Sequence, residues 1–146
     1  MITFLQGKLV EALPTQVVVE VNGVGYEVLI PLSSYDKLPP PGQPVKVLTQ
    51  LIVREDAHLL YGFMTAAERD LFRLLVNTVS GIGPKIALNI LSGMNATAFR
   101  GAVAKMVQRM LGLAELPAPD AADALALALA HLQAHGRFSL GAPKKI

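Results

Sequence analysis

A short turn at residues 80–85, Ser-Gly-Ile-Gly-Pro-Lys, constrains the fold of this chain more than any other feature. It separates two amphipathic segments, residues 67–79 and 85–91, whose apolar side chains recur at helical spacing. Glycines one residue apart permit positive φ and a close approach of the backbone to another surface, and Pro84 suits the first position of a helix. The sequence therefore predicts two helices joined by a tight turn.

The same turn has the features of a phosphate-binding site. The unpaired N–H groups and the positive dipole end of the second helix favour an anion, and Lys85 lies beside them. This is the helix-hairpin-helix arrangement, which grips the nucleic-acid backbone and reads no sequence. The alternative is a glycine-bearing corner between two packed helices. The lysine and the flanking helices favour phosphate binding, which gives the candidate DNA-binding residues Ser80, Gly81, Ile82, Gly83, Pro84 and Lys85.

The distribution of charge supports a phosphate partner. Residues 1–64 carry four Lys/Arg and six Asp/Glu, residues 65–110 carry six and two, and residues 111–146 carry three and three. The positive excess therefore lies in the stretch that contains the turn. An ordinary solvated helix face would mix the two signs.

Composition limits the remaining function classes. The chain has no cysteine, which excludes disulfides and thiolate metal sites. Its first residues lack the basic-then-apolar order of a signal peptide, and no uncharged apolar run reaches the ~18 residues of a membrane span. We expect a cytoplasmic protein without membrane contact.

The first 63 residues are typical of a small β-structure. Asn22-Gly23 is a strong hairpin turn, and the proline-rich residues 38–42 indicate a loop. Five short strands with a longer connection after the third fit a closed barrel of the oligonucleotide-binding (OB) type. The predicted strands are Ile2–Ala12, Thr15–Val21, Gly25–Ile30, Val45–Val53 and His58–Phe63. The predicted fold class is α+β, β first and then α, with an OB barrel over residues 1–63.

Helix signals follow the barrel. Thr65 and Glu68 form a capping box, which begins a predicted helical domain over residues 65–112 with one helix-hairpin-helix. Within it, Gly93 ends one helix and Asn95 can cap another.

The last part of the chain contains a further helix. Residues 113–119 form a predicted linker with two prolines. A C-terminal helix over residues 120–135 is then capped by Asp120 and ended by Gly136. Residues 136–146 are expected to form a tail.

Several separate motifs resemble one family. Residues 23–28 (GVGYEV), 53–63 (VREDAHLLYGF), 81–88 (GIGPKIAL) and 91–94 (LSGM) resemble the RuvA family of Holliday junction branch-migration subunits, in order and register as far as about Val103. The resemblance implies an OB barrel followed by helix-hairpin-helix motifs. It also implies a homotetramer that forms a flat platform and holds an open four-way junction, in DNA recombination, DNA repair and the SOS response to DNA damage.

The resemblance also implies a role for Glu55 and Asp56, which lie at the tip of the last hairpin. In the family this acidic pair forms a pin at the centre of the junction. Negative charge on a surface that meets DNA repels phosphates and can shape the crossover without adding affinity. The alternative is an ordinary Asp-containing turn between two strands.

The chain then departs from the family pattern. The family's second Gly-x-Gly hairpin and the C-terminal domain that engages the RuvB motor have no counterpart after Val103, so the resemblance does not predict contact with RuvB. Residues 106–135 instead resemble the C-terminal end of the RuvC family of Holliday junction resolvases. The chain is therefore similar to a mosaic of two proteins that act on one DNA structure.

The second resemblance implies a magnesium site. Asp120 and Asp123 share one helix face, and in the resolvases these positions belong to a magnesium-dependent nuclease site with four carboxylates. Two aspartates cannot complete a two-metal site, so we expect no cofactor unless the chain is a nuclease. The alternative is that both are helix-start residues.

Three functional hypotheses follow. The first is a non-enzymatic, structure-selective DNA-binding protein that holds four-way junctions through residues 80–85. The second is a magnesium-dependent junction endonuclease that uses Asp120 and Asp123. The third is a hybrid of the two proteins that lacks either activity.

Overall fold

The computed structural model describes residues 1–134, which form two compact units. The first unit is Met1–Ala96 and the second begins at Thr97. The elements of the first unit are β1 (Phe4–Leu13), β2 (Gln16–Val21), β3 (Val24–Leu29), α1 (Leu32–Tyr35), β4 (Pro44–Val53), β5 (His58–Phe63), α2 (Ala66–Thr78) and α3 (Pro84–Gly93). They are followed by α4 (Ala96–Leu111) and α5 (Pro119–Ala134).

The five strands close into a barrel in the order β1-β2-β3-β5-β4. Antiparallel hairpins join β1 to β2, β2 to β3 and β4 to β5, and β1 also pairs with β4. The seam between β3 and β5 is parallel, where Leu29 pairs with Tyr61. Asn22 and Gly23 have φ of 50° and 85°, which is the backbone of a tight hairpin turn. The predicted OB-type barrel is confirmed.

Strand β1 pairs with a different neighbour along each half of its length. Its first half pairs with β4 and its second half with β2, and the register shifts between Leu9 and Glu11, which leaves Val10 as a bulge. At Gly7 the backbones approach so closely that an added Cβ would lie 2.0 Å from the Glu20 carbonyl oxygen. A glycine and a bulge therefore occur in β1, the strand that pairs with β4 on one edge and with β2 on the other.

The barrel core consists of alternate residues on the inner face of each strand. At one end, Tyr61 and Phe63 of β5 meet Phe72 of α2, with ring centroids 5.1 and 5.0 Å apart. This aromatic cluster holds α2 against the barrel, so α2 belongs to the first unit. The boundary between the two units, after Ala96, therefore lies inside residues 65–112, which the sequence predicts as one helical domain. The buried core residues of the barrel are Leu5, Leu9, Val17, Val19, Val28, Ile30, Val45 and Val47.

A buried carboxylate joins α2 to the connection between β3 and β4. The predicted capping box is present, because the Thr65 side chain accepts from the Glu68 backbone N–H and the Glu68 side chain accepts from Thr65. Glu68 is only 1% exposed, and it also accepts from the Ser34 hydroxyl at 3.1 Å and from Lys37 Nζ at 2.8 Å. Ser34 lies in α1, a four-residue helix that the sequence did not predict.

The second unit contains α4 and α5. Helix α4 ends where Gly112 takes φ of 64° and the Leu113 N–H donates to the Gln108 carbonyl at 3.0 Å. Helix α5 begins at Pro119, so the predicted cap Asp120 lies instead in its first turn, where a carboxylate still faces the positive helix end. The predicted stop at Gly136 and the tail at residues 136–146 lie outside the described residues. In the described part of the chain, no helix has the length and apolarity that crossing a bilayer demands.

Candidate nucleic-acid interface

The turn between α2 and α3 is short and shaped by one glycine. Helix α2 ends at Thr78, and the Ile82 N–H donates to the Val79 carbonyl at 3.1 Å. Gly81 has φ of 82°, a conformation that side-chain-bearing residues rarely adopt. The turn residues 76–83 line a concavity of about 590 Å³. The two predicted helices, joined by a tight turn, are therefore present at the predicted residues.

Gly83 is not required by its backbone or by packing. It is the N-cap of α3, with φ of −85°, and an added Cβ would meet nothing within 4 Å. The first intrahelical hydrogen bond runs from the Ala87 N–H to the Gly83 carbonyl, and no side chain caps the helix. The N–H groups of Lys85 and Ile86 consequently have no intrahelical partner. The missing Cβ leaves open space beside these donors.

The six predicted residues differ in exposure. Ser80, Gly81 and Lys85 are exposed, and Ile82 and Gly83 are half-buried. Pro84 is buried at the first position of α3, so it positions the helix end and presents little surface to a ligand.

The positive charge in residues 65–110 divides into neutralised and unpaired groups. Arg69 forms an ion pair with Asp70 at 2.9 Å, and Arg100 lies 3.9 Å from Asp123. Three other cations form neither an ion pair nor a side-chain hydrogen bond within the part of the chain that the structure describes: Lys85, Lys105 and Arg109.

A second basic residue lies near Lys85. A groove of about 400 Å³ between α3 and the barrel is lined by both Lys85 and Arg54, above an apolar floor that includes Leu59 and Leu88. Burial raises the pKa of the Tyr61 phenol in this groove, and the Arg54 guanidinium partly opposes the rise. Arg54 was not predicted as a site residue from the sequence, although its position directly before the acidic pair was the available signal.

Glu55 and Asp56 lie at the tip of the β4–β5 hairpin, as the sequence predicts. Both are exposed, and the hairpin end is closed by a hydrogen bond from the Arg54 N–H to the Ala57 carbonyl at 2.8 Å. The structure therefore presents two adjacent exposed carboxylates at the end of the hairpin.

Among the described residues, the structure brings no third metal-ligating side chain to Asp120 and Asp123. Asp120 is exposed, and Asp123 lies against Arg100. Among residues 1–134 no group of three or more His, Cys, Asp or Glu side chains is placed to hold a metal ion. A two-metal nuclease site needs more carboxylates than this pair supplies, so the residues present do not fit one.

Comparison with known proteins decides the family. Residues 1–62 match the RuvA N terminal domain family. A protein named Holliday junction branch migration complex subunit RuvA, from Neisseria meningitidis serogroup C, is 47% identical over 144 residues, which covers 95% of this chain and 74% of the relative. The chain belongs to the RuvA family. A RuvA from Chromobacterium violaceum is 60% identical over 104 residues, or 71% of this chain and 52% of the relative. A RuvA from Idiomarina loihiensis is 52% identical over 103 residues, or 70% and 50%.

These matches have two consequences. The chain spans about half the length of the Chromobacterium and Idiomarina relatives. The Neisseria match leaves only a few residues of this chain outside it, so it takes in residues 106–135, the segment that resembles the resolvase RuvC. The RuvA resemblance is confirmed, and the comparisons give the RuvC resemblance no support.

Proposed function

We propose that this chain binds four-way DNA junctions as a RuvA-type subunit in recombination and repair, without catalysing a reaction itself. The observation that carries the proposal is the N-terminus of α3, where unpaired N–H groups lie beside an open Gly83 and an unpaired Lys85. A phosphate bound there accepts charge-assisted hydrogen bonds and neutralises the lysine. The relatives are named Holliday junction branch migration complex subunit RuvA, which supports the four-way junction as the ligand.

The DNA-binding residues in this proposal are 80–85. Gly81 shapes the turn, Gly83 leaves room for the phosphate, and Lys85 supplies charge. Pro84 and Ile82 hold the turn in place from its buried side. Such contacts recognise backbone geometry rather than sequence, which suits a protein that acts on junctions of any sequence.

Selectivity for a junction requires more than one phosphate contact. We propose that several copies, four in a symmetric assembly, present their turns to the four arms, because linked weak sites gain affinity through effective concentration. Glu55 and Asp56 would then act as the acidic pin, which repels the phosphates of an intact duplex and favours the opened crossover.

Magnesium-dependent cleavage is not part of the proposal. Asp123 is engaged with Arg100, and Asp120 alone offers one carboxylate. The inactive hybrid gains no support from the structure either, because the α2–α3 turn is intact.

Equilibrium binding to three DNAs tests the proposal. We expect the chain to bind an immobile four-way junction more tightly than duplex or single strand of equal length, and to leave the junction uncut with Mg²⁺ or Mn²⁺. Equal affinity for junction and duplex would contradict the junction assignment. Divalent-dependent nicks that disappear in Asp120→Asn and Asp123→Asn variants would restore the nuclease hypothesis.

A further inference from the structure

Helix α4 carries a basic surface, formed by Lys105 and Arg109, that is separate in sequence from the turn at residues 80–85. Lys105 and Arg109 are one helical turn apart, so they lie on the same face, and both are exposed. A concavity of about 530 Å³ lies between them and the end of the helix, lined also by Gln108, Gly112, Leu113 and Leu116. Gln108 is a further hydrogen-bonding side chain at this surface.

Helix capping does not account for the two cations. A basic residue in the last turn often donates to the free carbonyls there. At the end of α4 the backbone supplies that role itself, since the Leu113 N–H donates to the Gln108 carbonyl across Gly112 at positive φ. Within residues 1–134, neither Lys105 nor Arg109 donates a side-chain hydrogen bond to a carbonyl.

A neighbouring cation on the same helix shows the contrasting case. Arg100 lies 3.9 Å from Asp123 of α5, so a carboxylate of the chain already offsets its charge. Lys105 and Arg109 have no carboxylate partner among the described residues, although Glu115 follows closely in sequence. The charge of this surface is thus left for an external anion.

We propose that Lys105 and Arg109 form a second, independent phosphate-binding surface for the backbone of duplex DNA. This inference rests on the proposed function, since it takes DNA as the partner. Two cations one helical turn apart match a polyanion with regularly repeated charge, and Gln108 can add a neutral donor to a phosphate oxygen. The surface binds a DNA arm without regard to sequence or branching.

The salt dependence of binding tests this surface. The logarithm of the affinity for duplex DNA falls linearly with the logarithm of the salt concentration, and each cation that contacts a phosphate adds about 0.9 to the absolute value of this slope. The double variant Lys105→Gln/Arg109→Gln should therefore lower the absolute value of the slope by about 1.8, on both duplex and four-way junction, and leave the junction-to-duplex affinity ratio unchanged. The single variant Lys105→Gln should lower it by about half as much.

Two control variants separate contact from bulk charge. Arg100→Gln removes one positive charge from the same helix at a paired position and should lower the slope less than Lys105→Gln. The swap Lys105→Arg/Arg109→Lys keeps both charges and should retain the parent slope. An unchanged slope in Lys105→Gln/Arg109→Gln, or an equal fall in Arg100→Gln, would overturn the proposal.

The outcomes also separate this inference from the proposed function. If the parent protein prefers junctions but the α4 variants do not change the salt dependence of binding, the proposed function is supported and the Lys105/Arg109 surface is contradicted. A parent without junction preference, whose slope falls in the double variant, would support the surface and contradict the proposed function.

Discussion

At the scale of single residues, Glu68 shows how one side chain links three parts of the first unit. Its carboxylate accepts from Thr65, Ser34 and Lys37, and it is almost completely buried. Burial alone would raise the pKa of this carboxyl group. The hydrogen bonds from Lys37 and Thr65, with the nearby positive charge of Lys37, outweigh burial and hold the pKa of Glu68 below its ordinary value. The charged form is therefore the one that the fold stabilises.

The lowered pKa predicts how stability depends on pH. A carboxyl group with a lower pKa in the folded state adds stability above its unfolded pKa, and this stability is lost as the pH falls through the folded pKa. Glu68→Gln should reduce the free energy of unfolding at pH 7 by about 1–3 kcal/mol, because it leaves Lys37 without its partner. Below about pH 4, the free energy of unfolding of this variant should fall less steeply with decreasing pH than that of the parent.

Urea unfolding from pH 7 to pH 3 measures this effect. Glu27→Gln is the matched control, because Glu27 is exposed on β3 and has no side-chain hydrogen bond or ion pair among the described residues. The control should follow the parent within about 0.5 kcal/mol. If the two variants show the same pH profile, the buried network is not the source of the acid sensitivity.

Part of the hydrogen-bond network around Glu68 was predictable from the sequence. The capping box was readable because Thr65 and Glu68 have the required spacing at a change from strand to helix. The further partners of Glu68 were not, because Ser34 and Lys37 are about 30 residues away along the chain and meet Glu68 only in the fold. For the same reason Arg54 was missed as a neighbour of Lys85 in the groove.

At the scale of elements, strands and helices were predicted within a few residues, because turn signals such as Asn22-Gly23 and the prolines at 39–41 separate them clearly. The exception is α1, whose four residues are too few to show helical periodicity. The start of α5 was placed one residue late, since Asp120 is a favourable cap but Pro119 is also a favourable first residue.

The β4–β5 hairpin is the element whose role depends most on charge. Neutralising its tip with Glu55→Gln/Asp56→Asn should strengthen binding to duplex more than binding to the four-way junction, because repulsion between carboxylates and phosphates is removed. The junction-to-duplex affinity ratio should fall by a few-fold, about 1 kcal/mol.

The matched control removes the same amount of charge elsewhere on the barrel. Glu11→Gln/Glu27→Gln changes two exposed carboxylates that do not lie on the hairpin tip. It should raise both affinities slightly and leave their ratio as in the parent. A ratio that falls equally in both double variants would show a general effect of net charge, which contradicts the pin.

At the scale of the whole molecule, the OB-type barrel and the helices that follow it were predictable from the sequence, because the signals for strands, turns and helices occur in the order typical of this architecture. A closed barrel was predicted from the number and spacing of the strands, but the bulge at Val10 and the close approach of the backbones at Gly7 were not, because both depend on how distant strands pair. The likeness to RuvC that was predicted for residues 106–135 gained no support, because Ala- and Leu-rich helices have few residues that distinguish one family from another.

One pair of variants tests directly whether the N-terminus of α3 holds a junction phosphate. Gly83→Val places a branched side chain beside the unpaired N–H groups, in a backbone conformation that valine adopts readily. Gly93→Val makes the same substitution at the other end of α3, where an added Cβ also meets nothing within 4 Å. Both variants should unfold cooperatively like the parent.

The decisive measurement is the dissociation constant of each variant for a four-way junction at one fixed salt concentration. The loss of charge-assisted hydrogen bonds to one phosphate per copy should weaken Gly83→Val by at least about tenfold, the equivalent of about 1.4 kcal/mol, while Gly93→Val binds like the parent. A folded Gly83→Val variant with the parent's affinity for the junction would contradict the account.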